Sequence, residues 1–104
     1  MLAPTDIEQM VVRLREQLSP RRIVLFGSYA NGSADDDSDV DLLVVADTEL
    51  APAKRSALVA RLFRDLPVDV DAIVKTPDEY QHARCLLNHI VYFADRYGTV
   101  LYEQ

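Results

Sequence analysis

The sequence predicts one α/β domain, built on a short mixed β-sheet with helices packed mainly on one face. Short apolar segments rich in β-branched residues alternate with longer segments whose apolar residues recur at helical spacing. Helix start and stop signals separate these segments, and no internal repeat or linker interrupts them. A chain of 104 residues is long enough for a single hydrophobic core. We therefore assign residues 1–104 to one domain.

Two amphipathic helices are predicted in the first two thirds of the chain. The first spans Thr5–Leu18, where Thr5 and Glu8 have the spacing of a capping box. The second begins at Pro52, a residue suited to the first helical turn, and runs to about Asp65. Its apolar residues mark a core-facing side, and its basic residues, Arg55 among them, are expected to be solvated.

A third helical region follows Thr76. Thr76 is predicted to cap it, with proline at the first helical position and Glu79 reaching back. The region extends to around Tyr97, and a break is expected near Asn88. A single helical turn is also predicted at Ser28–Asn31.

Four strands are predicted between and after these helices: Ile23–Phe26, Asp39–Ala46, Val68–Val74 and a terminal edge strand at Thr99–Tyr102. Side chains in a strand alternate between the two faces of the sheet. In the second strand, Val40, Leu42 and Val44 therefore share one face, and Asp39 and Asp41 share the other.

The carboxylates of Asp39 and Asp41 predict a metal site. Two neighbouring carboxylates repel each other unless a cation lies between them. Oxygen ligands of this kind suit Mg²⁺, and a pair of Mg²⁺ ions needs several carboxylates to clamp a phosphoryl group. A third carboxylate is expected from the next strand, where Asp69 and Asp71 lie on one predicted face. A solvated acidic loop is the alternative interpretation, and it describes Asp35–Asp37 better than carboxylates inside apolar strands.

A turn at Gly27-Ser28 follows the first strand. Glycine allows close approach of the backbone, and the turn presents N–H groups and a hydroxyl to which a phosphate can bind. The turn and the nearby carboxylates together predict metal-assisted phosphoryl or nucleotidyl transfer.

The overall composition limits the alternatives. A net charge of −6 argues against direct binding to nucleic acid, which depends on Lys and Arg neutralising phosphates. The single cysteine, Cys85, allows no internal disulfide, and no apolar run approaches the roughly 20 residues that span a bilayer. The N-terminus lacks the pattern of an export signal. We expect a cytoplasmic protein without a membrane segment.

Two further groups of residues are candidates for contacts. His82, Cys85 and His89 have spacings that could place soft-metal ligands on one helix face, but no fourth zinc ligand lies nearby. A packed or partner-facing surface is therefore favoured there. The aromatic residues near the C-terminus are expected to be mostly core, and any exposed pair among them would form a contact surface for another protein: Tyr92, Phe93, Tyr97 and Tyr102.

A Gly-Ser turn after a strand, followed by Asp-x-Asp at the start of another, resembles the DNA polymerase β-type nucleotidyltransferases. The fuller pattern GSYANG…SDVDLLVV, with VDAIVKTPDEY and GTVLYE, resembles their minimal branch over most of the chain. The resemblance implies a polymerase β-like core in which Asp39, Asp41 and Asp71 bind two Mg²⁺ ions and are catalytic. Asp71 matches the third aspartate of the family better than Asp69, and its expected role includes accepting the proton of the attacking hydroxyl. Gly27 and Ser28 would hold the triphosphate of a nucleoside triphosphate, expected to be ATP.

The resemblance also implies a partner. Members of this branch are commonly encoded beside a HEPN-domain toxin and act as its antitoxin, which implies AMP transfer to a tyrosine of that toxin within a hetero-oligomer. One position departs from the pattern, because Asn31 replaces the arginine of close relatives. Its loss could weaken triphosphate binding or alter nucleotide preference. Occlusion of the toxin without catalysis, and nucleotidyl transfer to a small molecule, remain the alternatives.

Overall fold

The computed structural model describes residues 2–104, which form a four-stranded mixed sheet and five helices. The strand order is β3-β2-β1-β4; β1 is antiparallel to β2 and β4, whereas β2 and β3 are parallel. This architecture confirms the predicted fold class. The elements in chain order are α1 (Pro4–Leu18), β1 (Arg22–Phe26), α2 (Ser28–Asn31), β2 (Val40–Val45), α3 (Pro52–Leu62), β3 (Val70–Lys75), α4 (Pro77–Ala83), α5 (Ile90–Tyr97) and β4 (Thr99–Glu103).

Helices cover the two faces of the sheet unequally. The long helices α1 and α3 pack on one face, where Met10, Leu14 and Val59 join the larger hydrophobic cluster. The short helices α4 and α5 pack on the opposite face through Ala83 and Ala94. The predicted one-sided packing thus holds for the two longest helices, and the second face carries α4 and α5 as well as the acidic strand ends.

The predicted alternation along β2 is confirmed. Val40, Leu42 and Val44 are buried in the cluster beneath α1 and α3. Leu43 and Val45 are buried in the cluster beneath α4 and α5. Because side chains alternate, Asp41 projects to this second face, at the end of the strand.

The start of α1 differs from the prediction. The helix begins at Pro4, so the capping box predicted for Thr5 and Glu8 is wrong. Proline fits the first helical position because its fixed φ is already helical and its missing N–H needs no partner. The Asp6 carboxylate accepts a hydrogen bond from the Ala3 N–H at 2.8 Å instead.

The capping box at the start of α4 is confirmed. The Thr76 hydroxyl accepts from the Glu79 N–H at 3.3 Å, and the Thr76 N–H donates to the Glu79 carboxylate at 2.8 Å. That N–H lowers the pKa of Glu79 most, and the guanidinium of Arg55 lowers it further.

Arg55 is buried, so its predicted solvation is wrong. Only 6% of the residue is exposed. Its guanidinium donates to the Glu79 carboxylate at 2.6 Å and to the Leu50 and Val74 carbonyl oxygens at 2.8 and 3.3 Å. These bonds compensate the burial of the charge and connect α3 to the start of α4.

The expected break in the third helical region lies between Ala83 and Ile90, which separate α4 from α5. The His89 ring caps α5, because its Nδ1 accepts from the Val91 N–H at 3.1 Å.

No helix within residues 2–104 has the length and hydropathy to cross a bilayer.

A second buried polar group lies where α4 and α5 meet β1. The Asp95 carboxylate accepts a hydrogen bond from the Tyr80 hydroxyl and from Arg84 Nη2 at 3.0 Å, and it lies 3.6 Å from Arg22 Nη2. Burial, followed by the Asp95 carboxylate, raises the pKa of Tyr80, so its hydroxyl remains a donor. The three contacts hold both helices against the sheet.

Candidate active site

Strand register brings two of the predicted site residues together. In the parallel pair of β2 and β3, Asp41 is aligned with Asp71. In the antiparallel pair of β1 and β2, Asp41 is aligned with Phe26, the residue before Gly27. The glycine turn and the carboxylates of two strands therefore meet at one corner of the sheet.

The three predicted carboxylates interact electrostatically. Asp39 is exposed and directly precedes β2. The pKa of Asp41 is raised, first by partial burial and then by the charges of Asp71 and Asp39. Among residues 2–104, no Lys, Arg or His forms an ion pair with any of these three. The site thus concentrates negative charge without a paired cation from residues 2–104.

These residues fit a hard divalent cation by their chemistry. Carboxylate oxygens are the ligands that Mg²⁺ prefers, and a bound cation would relieve the repulsion that raises the pKa of Asp41. Within the described residues, no three His, Cys, Asp or Glu side chains are already gathered closely enough to form a metal-ligand set. The proposed ligands are therefore neighbours whose carboxylates would have to turn toward a shared ion.

Asp69 and Asp71 occupy different environments. Asp69 lies before β3, where its carbonyl oxygen accepts from the Val40 N–H at 3.0 Å. It borders a groove with Phe63, on the side of the sheet that faces α3. Asp71 is aligned with Asp41, and Asp69 is absent from the charges that raise the pKa of Asp41. This geometry supports Asp71 as the third ligand, which remains a prediction.

Gly27 is required by both its backbone and its surroundings. Its φ of 72° and ψ of −151° lie in a region essentially restricted to glycine. A Cβ atom here would lie 2.4 Å from Asp41 Oδ2, well inside contact distance. The absence of a side chain therefore leaves room for the Asp41 carboxylate. Ser28, half-buried, begins α2 directly after this turn.

Asn31 closes α2. Its side-chain oxygen accepts hydrogen bonds from the Ser33 N–H at 3.0 Å and from the Ser33 hydroxyl at 2.5 Å. Where close relatives are expected to carry a phosphate-binding arginine, this residue shapes the entrance to the acidic loop.

The acidic loop is held by its own turn. The Ser38 hydroxyl accepts from the Asp35 N–H at 2.9 Å and donates to the Asp35 carboxylate at 3.1 Å. The same carboxylate accepts from the Asp37 N–H at 2.9 Å. From the sequence, Ser38 is expected to cap or orient the entrance of the strand, and its bonds to Asp35 agree with that expectation. The turn leads directly into Asp39.

The structure separates the candidate soft-metal ligands. His82 lies in α4, Cys85 follows the end of that helix, and His89 caps α5. Within residues 2–104 they form no metal-ligand group.

A groove next to Gly27 was not predicted. It has a volume of about 330 Å³ and is lined by Phe26, Gly27 and Asn31 together with Ile90, Phe93 and Tyr97 of α5. Phe93 and Tyr97 are exposed, so their predicted place in the core is wrong. Their rings are stacked, with centroids 6.2 Å apart. The buried side of α5 is formed by Val91 and Ala94 instead.

A mixed sheet in which the first turn lies against Asp41 of β2, and Asp41 is aligned with Asp71 of β3, fits a nucleotidyl-transfer domain. The family model of the nucleotidyltransferase domain matches residues 7–93. The chain belongs to this family and is a nucleotidyltransferase.

Individual relatives agree with this assignment. The chain is 37% identical over 98 residues to protein adenylyltransferase MntA of Thermococcus cleftensis (strain DSM 27260 / KACC 17922 / CL1), covering 88% of this chain and 97% of the relative. A crystal structure of a toxin-antitoxin with AMP-PNP has a TM-score of 0.65 at 25% identity, over 93% of this chain and 73% of that one. A mutant of the toxin-antitoxin MntA-HpeT has the same fold, with a TM-score of 0.65 at 24% identity over 100% of this chain and 75% of that one.

Proposed function

We propose that this protein transfers AMP from ATP to a tyrosine hydroxyl of a HEPN-domain toxin in the cytoplasm, and so acts as its antitoxin. The observation that carries the proposal is the corner where Gly27, Asp41 and Asp71 meet. The similarity to an adenylyltransferase and to a toxin-antitoxin bound to AMP-PNP supports ATP as donor and a toxin as acceptor.

The residues have distinct roles in this reaction. Asp39, Asp41 and Asp71 would hold two Mg²⁺ ions, which neutralise charge on the triphosphate and on the leaving pyrophosphate. The Gly27 backbone and the Ser28 hydroxyl would bind the phosphates beyond the reacting one. The tyrosine oxygen forms a bond to the α-phosphorus, the bond from that phosphorus to the bridging oxygen breaks, and pyrophosphate leaves. Asp71 accepts the proton of the tyrosine hydroxyl.

The test uses ATP labelled at the α-phosphate, Mg²⁺ and the purified toxin encoded by the adjacent reading frame. We expect label on the toxin with the wild-type protein and none above background with Asp39→Asn. Asp47→Asn is the matched control, since Asp47 lies past the other end of β2 and pairs with Arg21 at 2.7 Å on the surface. Label transfer that persists in Asp39→Asn would remove this carboxylate from the mechanism.

One observation favours a second function, neutralisation of the toxin by occlusion alone. Asn31 supplies no cation for a triphosphate, and its side-chain oxygen is engaged by Ser33. Under this alternative, Asp39→Asn protects cells from the toxin as well as the wild-type protein does. Under AMP transfer, the same variant loses protection while still binding the toxin.

A further inference from the structure

An exposed apolar surface surrounds α5. It consists of Leu86, Leu87, Ile90, Phe93 and Tyr97, which we call the α5 surface. Their exposed fractions range from 48% to 69%, and they are five of the eight large apolar residues exposed within residues 2–104. Contiguous apolar patches of this kind on a soluble domain mark interaction sites.

Helix α5, which presents this surface, is packed against the sheet. Val91 and Ala94 are buried against the sheet, and the Asp95 contacts with Arg22 and Arg84 hold the same side. Gly98 ends the helix so close to β1 that a Cβ atom would lie 2.4 Å from Val24 Cγ1. The α5 surface is therefore a fixed feature of the fold.

The charge around this surface differs from the rest of the chain. The protein has a net charge of −6, yet between positions 80 and 98 the only acidic residue is Asp95, which Arg22 and Arg84 neutralise. Arg84 and Arg96 are exposed there. A complementary partner would present an apolar face with carboxylates at its edge.

The α5 surface is continuous with the proposed active site. Ile90, Phe93 and Tyr97 line the same groove as Gly27 and Asn31. A protein seated on α5 would therefore lie beside the corner that contains Asp41.

We propose that the toxin docks on the α5 surface through an apolar face edged by carboxylates, and that this contact holds its acceptor hydroxyl at the active site. The inference rests on the proposed function, because it takes the acceptor to be a protein. Burial of these side chains drives association, and the carboxylates of the partner approach Arg84 and Arg96.

Leu87→Glu tests the surface. Leu87 is 68% exposed and does not line the groove beside Gly27, so the substitution leaves both folding and nucleotide binding unchanged. We expect the Kd for the toxin of the adjacent reading frame to rise at least about tenfold, since a charge is placed in an apolar contact. In AMP transfer, KM for the toxin rises similarly while KM for ATP stays at the wild-type value. Val12→Glu is the matched control, because Val12 is 42% exposed on α1, on the other face of the sheet.

The outcomes separate this inference from the proposed function. If the wild-type protein neither binds nor labels the toxin, the proposed function fails and the docking surface with it. If the wild-type protein labels the toxin and Leu87→Glu does so with unchanged Kd and KM, only the docking surface is overturned.

A second variant, Phe93→Ser, which adds no charge to the groove beside Gly27, distinguishes other occupants. The proposal expects weaker toxin binding with unchanged affinity for ATP in the presence of Mg²⁺. Weaker ATP binding with unchanged toxin binding would assign the groove to the nucleotide and overturn the proposal. Sedimentation of the protein alone completes the test, because a wild-type dimer that dissociates in Leu87→Glu would place a second copy on the surface.

Discussion

Asp41 and Asp95 are carboxylates on the same side of the sheet, and their surroundings have opposite charge. Asp95, whose side chain is 14% exposed, meets two guanidinium groups and the Tyr80 hydroxyl. Asp41 meets the carboxylates of Asp71 and Asp39. A buried charge is costly unless it is paired, so Asp95 has the environment of a structural residue. Asp41 instead has the environment of a ligand whose counter-charge comes with the substrate.

The largest expected effect compares the two aspartates at the start of β3. Asp71→Asn should lower the rate of AMP transfer by at least about 10³-fold, because it would remove both the proposed metal ligand and the proposed proton acceptor. Asp69→Asn should change the rate by less than about tenfold, since Asp69 lies outside the electrostatic group around Asp41. Initial rates with labelled ATP measure both. A larger loss in Asp69→Asn would reverse the choice of third ligand.

Gly27→Ala tests whether the turn and Asp41 depend on each other. The new Cβ would displace the Asp41 carboxylate, and a misplacement of this size lowers the transfer rate by about 10²-fold. Gly32→Ala is the control, because its left-handed backbone (φ 81°, ψ 7°) also disfavours a side chain, though less than the Gly27 backbone does, and no atom lies within 4 Å of the new Cβ. Both variants should lose some stability, measured by urea unfolding. Equal loss of activity in the two variants would attribute the effect to backbone strain alone.

The comparison of the two carboxylates is tested directly by replacing each aspartate with asparagine. Asp95→Asn should lower the free energy of unfolding at pH 7 by about 2 kcal/mol, because Arg84 loses its counter-charge and Arg22 keeps only Glu103. Asp41→Asn should leave the metal-free protein unchanged or slightly more stable, since it removes a repelled charge. Asp65→Asn, at an exposed ion pair with Arg13, should cost much less than Asp95→Asn. If Asp41→Asn destabilises as much as Asp95→Asn, Asp41 is structural and the contrast fails.

A smaller effect, on Glu79, depends on pH. The pKa of Glu79 lies below its ordinary value of 4.5, so its contribution to stability is present above that pH and is lost as pH falls through the lowered pKa. Glu79→Gln should therefore cost about 1 kcal/mol at pH 7 and progressively less below about pH 4.5. Urea unfolding across this range measures the difference, with Glu8→Gln on the outside of α1 as the control. A cost that is constant with pH would mean that the ionised carboxylate contributes nothing beyond its shape.

Periodicity predicted the scaffold well because it is a local signal. Each face of β2 is buried under helices, and a period of two assigned both Val44 and Leu43 correctly. The strong cap at Thr76 and the break near Asn88 are local as well. At the start of α1 two local signals favoured different first residues, and the helix begins at Pro4 rather than after a cap at Thr5.

Contacts between distant parts of the chain could not be predicted in this way. The helical spacing of Arg55 predicts a solvated side chain. Its burial depends on the bond to Glu79, which lies 24 residues later in the sequence. Phe93 and Tyr97 have the helical spacing of core residues, which is also the spacing of an interface helix. The choice of Asp71 over Asp69 came from family resemblance, because the register of β2 with β3 is a tertiary property.

The ion pair between Arg55 and Glu79 lies near the end of β3 that is remote from Asp71. Four residues separate Asp71 from the last residue of that strand, which at 3.3 Å per residue corresponds to about 13 Å. This exceeds the screening length of about 8 Å at physiological ionic strength. Removing the charge of Glu79 by mutation should therefore loosen the junction of α3 and α4 without altering the electrostatics of the distant corner. Mutations around Arg55 that raise the thermal stability of this enzyme should consequently leave its turnover rate unchanged.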